Sequence, residues 1–152
     1  MHFELSIRIR RPPEDVFAFF RDKDKIRQKP GSPVLALDQT TPGPAGVGTR
    51  YTEVVQMLPF VRGEILSVVT CFEPGQCLEE DFEGAGMVGH LAYRFMPEEN
   101  GTRLTQIETV RLRWPARVIE PIMGRMLSRQ LWNRLEGIKA YLESGAVIAE
   151  PE

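Results

Sequence analysis

From Val34 to Trp114 the chain reads only as short alternating runs of apolar and polar residues broken by turn signals. One rule ties these runs together, because every hairpin must turn the same parity of residues inward. A two-residue turn at Asn100-Gly101 would pair Phe95 with Gln106, Tyr93 with Glu108, Leu91 with Val110 and Gly89 with Leu112. A turn at Gly84-Ala85 would pair Phe82 with Met87 and Glu80 with Gly89. Pro74-Gly75 would set Cys71 against Leu78 and Val69 against Glu80, and a three-residue loop at "LPF" would set Met57 against Val61 and Glu53 against Ile65. All four turns agree on one inward face, which holds nearly all the large apolar side chains. The chain is therefore expected to form one antiparallel sheet of about seven strands with a covered face.

That face also carries Glu53, Glu80, Gln106 and Glu108. In "GTRLTQIETVRLRWP" the polar pair at 106 and 108 interrupts the parity of Leu104, Val110 and Leu112. An inward carboxylate must be neutral, paired or wet, since burying a bare charge costs several kcal/mol. A partly hydrated cavity satisfies this condition, whereas a dry core does not.

The ends of the chain supply the cover. "HFELSIRI" alternates as a strand, and "PPEDVFAFFRD" has the prolines and acids of a helix first turn. A weaker helical stretch follows around residues 23 to 28 and ends at Pro30, Gly31 and Pro33. After Trp114, a long helix over residues 116 to 143 places Ile119, Ile122, Met123, Met126, Leu127, Leu131, Leu135, Ile138 and Leu142 at spacings of three and four. Pro121 and Gly124 predict a kinked or mobile start to that helix. Residues 1 to 145 are read as a single domain and 146 to 152 as a frayed tail.

With 152 residues the chain is long enough to bury a real core. It has no apolar run of the roughly 18 to 20 residues a membrane span needs and no signal-peptide pattern, which predicts a cytoplasmic protein. A net charge of -2 argues against whole-surface attraction to nucleic acid. Under the Pro-Gly register Cys71 and Cys77 fall on opposite faces and stay free thiols, although a longer loop would reverse that expectation. Two cysteines without clustered histidines make no metal site, His2 and His90 both take the outward parity, and no cofactor is expected.

The order of strand, Pro-initiated helix "RPPEDVFAFFRD", helical break, strands with "EPG" and "NGTRLT" turns, and a long C-terminal amphipathic helix resembles the START-like, or helix-grip, superfamily. It is most similar to the polyketide cyclase/dehydrase and lipid-transport group. The resemblance implies an α+β helix-grip fold, a curved antiparallel sheet wrapped around the last helix, with two short helices after the first strand and an enclosed cavity. Its members include carriers, cyclases, dehydratases and regulators, so the fold leaves the activity open. Many members carry a tryptophan after the first helix, which "KDKIRQKPGSP" lacks.

A helix running back from Trp114 at about 1.5 Å per residue should set Ile119 to Met123 over the row of Leu112, Gly89 and Glu80, and Met126 near Glu108 and Tyr93. Leu135, Ile138 and Leu142 should close on Phe17 and Phe20 as dry core. The candidate ligand-binding residues are thus Glu80, Gly89, Tyr93, Gln106, Glu108, Leu112, Ile119, Ile122, Met123 and Met126. Met87, Met123 and Met126 suit either a plastic pocket or simple core filling. The first functional reading is binding of a small apolar, lipid-like or cyclic, polyketide-like ligand. A second is a cyclase or dehydratase using the inward carboxylates and Tyr93 as acid/base groups. A third is an interaction protein docking through the outward arginines Arg8, Arg10, Arg103, Arg111 and Arg113, whose bland alternative is a solvated face. The oligomeric state is not legible.

Overall fold

The structure, a computed structural model, describes residues 1–23 and 32–145, side chains at 57 and 58 excepted. Most of the helix expected around 23 to 28, and the tail at 146 to 152, lie outside the described residues. The elements are β1 (His2–Ile9), α1 (Pro13–Arg21), β2 (Val34–Gln39), β3 (Arg50–Leu58), β4 (Val61–Glu73), β5 (Cys77–Gly84), β6 (Met87–Glu98), β7 (Gly101–Leu112), a 3-10 turn (Ala116–Ile119) and α2 (Glu120–Glu143). The strands form one sheet in the order β1-β7-β6-β5-β4-β3-β2, with antiparallel neighbours throughout. This is the helix-grip arrangement.

α1 begins where Pro12 and Pro13 need no helical donors, and Glu14 and Asp15 face the positive end of its dipole. It buries Val16, Phe17, Phe19 and Phe20. Phe17 meets Phe72 and Phe95 edge-on at 5.4 Å, and Phe20 lies 4.4 Å from Tyr93. The same cluster takes Leu135, Ile138 and Leu142 from α2 as expected, but the C-terminal half of the helix is not all dry core, because Arg134, Gly137, Ile138 and Tyr141 border a cavity.

Two hairpins turn one residue away from the expected place. The β5–β6 turn is Ala85-Gly86, both at positive φ (52° and 78°), and it pairs Gly84 with Met87. The β6–β7 turn is Glu99-Asn100, with Asn100 at φ 58°, and it pairs Glu98 with Gly101. Moving a turn by one residue moves each partner by two, so the inward parity survives while the partners change. Glu108 therefore faces Leu91, Tyr93 faces Gln106, Phe82 faces Gly89 and Glu80 faces Leu91. The "NG" glycine serves a different purpose: a Cβ on Gly101 would lie 2.4 Å from the Ile9 carbonyl oxygen, so it admits the end of β1.

The cysteines require a correction. Three residues, Pro74 to Gln76, form the turn, closed by the Gln76 N–H donating to the Glu73 carbonyl at 2.9 Å. Glu73 then pairs with Cys77, and Cys71, two residues earlier, shares the face of Cys77. The two sulfurs are joined in a disulfide across Cα atoms 6.5 Å apart. A bulge between Val69 and Cys71 restores the expected pairing of Val69 with Glu80.

α2 is also not kinked at Pro121. The proline lies in its first turn, where no backbone donor is needed, and the 3-10 turn precedes it. The Glu120 carboxylate accepts the Leu112 N–H at 2.8 Å, and Gly124 lies against Met1, which ties the helix start to the β1–β7 edge.

On the outer face His90 is held by Asp81 at 2.6 Å and Glu79 at 3.0 Å. Burial opposes the imidazolium, but these two carboxylates outweigh it and raise the pKa. The pair's stabilisation is therefore full below about pH 6.5, the unfolded value, and is lost as pH rises through the raised folded value. Urea denaturation across this range should show stability falling toward alkaline pH, and His90→Gln should flatten the profile.

Candidate functional site

A cavity of about 900 Å³ separates the sheet from α2. Its floor is the inward parity read from the sequence, with Ile65, Leu78, Phe82, Leu91 and Tyr93 as apolar wall and Glu53, Glu80 and Glu108 among them. Its roof is Leu127, Leu131, Arg134, Gly137, Ile138 and Tyr141 of α2, and Phe20 and Lys23 close one side.

Lys23 settles how two of the acids are tolerated. Its Nζ lies 2.6 Å from Glu80 and 3.0 Å from Glu53, donates to Ser67 Oγ at 3.3 Å, and sits 4.4 Å from the Tyr51 ring centroid. Burial disfavours the ammonium, yet Glu80 and Glu53 together outweigh it and raise the Lys23 pKa. Glu53 and Glu80 are therefore bridged by one cation. Burial likewise raises the Tyr51 hydroxyl, against the nearby Lys23 charge.

Among the described residues the third acid has no such counter-ion in contact. Glu108 accepts one bond, from the Gln106 amide at 3.0 Å. Burial pushes its carboxyl up, and the Gln106 bond and the charge of Arg134 offset only part of that. Burial also pushes the Tyr93 hydroxyl far above its ordinary range, so it is a neutral phenol. Among the described residues, neither the Tyr93 hydroxyl nor the Arg134 guanidinium has a hydrogen bond or ion pair, and both residues line the cavity. Glu108, Tyr93 and Arg134 thus leave donor and acceptor capacity at a cavity whose wall is mostly apolar.

Of the ten candidate residues, Glu80, Tyr93 and Glu108 line the cavity. Gln106 is 2% exposed behind Glu108, and Leu112 is buried. Gly89 is covered by Phe82, whose ring would lie 2.4 Å from an added Cβ. Ile119, Ile122 and Met126 are exposed, and Met123 is half-buried outside the cavity. The helix error has a geometric cause. Nine residues turn a helix through about 900°, so Ile122 lies opposite Leu131 and Met126 opposite Leu135. Spacings of three and four ran together two stripes that face different ways. Lys23 and Arg134 were missed altogether, although a lone arginine beside Leu131 and Leu135 was a signal available in the sequence.

Gly137 is a useful handle on this site. It lies mid-helix, lines the cavity, and an added Cβ would meet nothing within 4 Å. Gly137→Ala is expected to stabilise the fold by about 0.5–1 kcal/mol through helix propensity, read by urea denaturation. Gly137→Phe, at an exposed position on the cavity border, should keep the fold and narrow the cavity.

Residues 1–143 match the family described as polyketide cyclase / dehydrase and lipid transport. The chain belongs to this family. Comparison with curated proteins finds no match. Among solved structures, the protein TTHA0849 from Thermus thermophilus superposes with a TM-score of 0.75 at 19% identity, covering 97% of this chain and all of that one (100%). A conserved protein from Geobacillus kaustophilus gives 0.76 at 13% identity, over 95% of this chain and 96% of that one. DynU16, a protein in the dynemicin biosynthetic locus, gives 0.65 at 16% identity, over 95% of this chain and 48% of that one. At these identities the likeness establishes the fold. Among the described residues no helix is long and apolar enough to cross a membrane.

Proposed function

We propose that the protein binds a largely apolar small molecule carrying one neutral, oxygen-bearing end. The observation that carries this reading is the cavity itself, apolar over most of its wall and supplied near Tyr93, Glu108 and Arg134 with unused polar groups. Charge balance supports a neutral ligand. The wall holds the cations Lys23 and Arg134 against Glu53, Glu80 and Glu108, and burial favours the neutral form of Glu108. With Glu108 neutral the two cations balance the two remaining acids, so an anionic head would unbalance the wall. Membership of a family that includes lipid transport supports the apolar body of the ligand.

Native mass spectrometry of the protein purified from its own host tests the reading. The expected result is an adduct of a neutral small molecule on wild type that is reduced in Gly137→Phe. An adduct retained equally by both would place the ligand elsewhere.

The raised pKa of Glu108 favours a second reading, a cyclase or dehydratase in which Glu108 and Tyr93 exchange protons with the substrate. Turnover of an aromatic polyketide-type substrate, lost in Glu108→Gln, would support it.

A further inference from the structure

The arginines are unevenly used. Arg8, Arg10 and Arg103 are neutralised where they stand, by Glu98 and Glu143. Residues 111 to 129 hold five of the 19 basic residues and one of the 21 acidic ones, so this stretch carries a net charge of +4 within a chain of net charge -2. Its single acid, Glu120, is occupied by the Leu112 N–H. Arg117, Arg125 and Arg129 are exposed and have no ion pair among the described residues, and Arg113 reaches only the exposed Glu83 at 3.4 Å.

Among the described residues, the largest run of exposed apolar side chains lies in the same stretch. Trp114 is 79% exposed, Val118 66% and Ile122 76%, with Ile119 and Met126 also exposed. Ile122 and Met126 are turned away from the cavity by the rotation of α2, and Trp114, Val118 and Ile119 lie in the segment just before it. The fold thus leaves apolar side chains, one a tryptophan, surrounded by unpaired arginines. Tryptophan is suited to the boundary between water and hydrocarbon, and arginines beside it are attracted to anionic headgroups. A nucleic-acid site would use the arginines but gain nothing from Val118 and Ile122.

We infer that the β7–α2 corner, Trp114 to Arg129, docks the protein onto an anionic phospholipid surface. Val118 and Ile122 enter the headgroup boundary with Trp114, and Arg117, Arg125 and Arg129 meet the lipid phosphates. This surface is independent of what the cavity holds.

The test is co-sedimentation of the full chain with vesicles of phosphatidylcholine alone or with about one-third phosphatidylglycerol, at about 0.1 M and about 0.5 M salt. Binding is expected to the anionic vesicles only, weakening with salt. A blue shift of tryptophan emission should persist in Trp132→Phe, leaving Trp114 as the reporter. Arg117→Glu with Arg125→Glu, and separately Ile122→Asp, should each reduce binding by about tenfold or more. Both lie at exposed positions, and circular dichroism checks the fold. Absent binding, equal binding to both vesicle types, or binding indifferent to the variants would overturn the inference. A dimer abolished by Ile122→Asp, or single-stranded RNA bound in preference to vesicles, would also overturn it by giving the surface another occupant.

Discussion

Lys23→Met is expected to cost about 2–4 kcal/mol at pH 7, because it leaves Glu53 and Glu80 close together, mostly buried and without their shared cation. Two like charges held close in a partly buried site repel each other, so the cost should shrink in acid, where fewer carboxylates are charged. Adding Glu53→Gln and Glu80→Gln to Lys23→Met should recover most of the loss at neutral pH. Urea denaturation of wild type, the single variant and the triple variant at two pH values decides the matter. A loss under about 1 kcal/mol, independent of pH, would show an ordinary solvent-screened pair.

Glu108 should respond in the opposite sense to a conservative change. Glu108→Gln removes a charge disfavoured by burial while keeping an acceptor for the Gln106 amide, so it is expected to raise stability by about 1 kcal/mol at pH 7. The gain should vanish toward about pH 4, because the wild-type carboxyl is then neutral in both states. Glu108→Leu is different: it strands the Gln106 amide, which has almost no exposure, at an expected cost of about 1–3 kcal/mol. Denaturation curves of the two variants that coincide would contradict the assignment of the Gln106–Glu108 bond.

The sheet was legible in the sequence because parity is robust. The turns at Ala85-Gly86 and Glu99-Asn100 were each misplaced by one residue, yet a shift of two in pairing returns every side chain to the same face. Glu80, Tyr93 and Glu108 were therefore found on the cavity side despite wrong partners across β6, and Glu53 faces Ile65 as expected. The cysteines failed for a related reason, since adding one residue to the Pro-Gly turn does change which side chains share a face. The helix was legible as an element and illegible in orientation. Periodicity identifies apolar spacing, but Glu120 and the β1–β7 edge determine which side of the first turns meets the sheet. Lys23 was out of reach because its partners, Glu53 and Glu80, lie on separate strands, and only the packing of the chain after α1 brings the three together.

The cavity is the centre of this account, and titration with N-phenyl-1-naphthylamine, a neutral apolar fluorophore, tests it most directly. Wild type should bind the probe with enhanced, blue-shifted emission, while Gly137→Phe, with unchanged circular dichroism and comparable resistance to urea, should bind it more weakly. Equal binding by the two proteins, or none by wild type, would contradict the claim that the space between sheet and helix receives an apolar ligand.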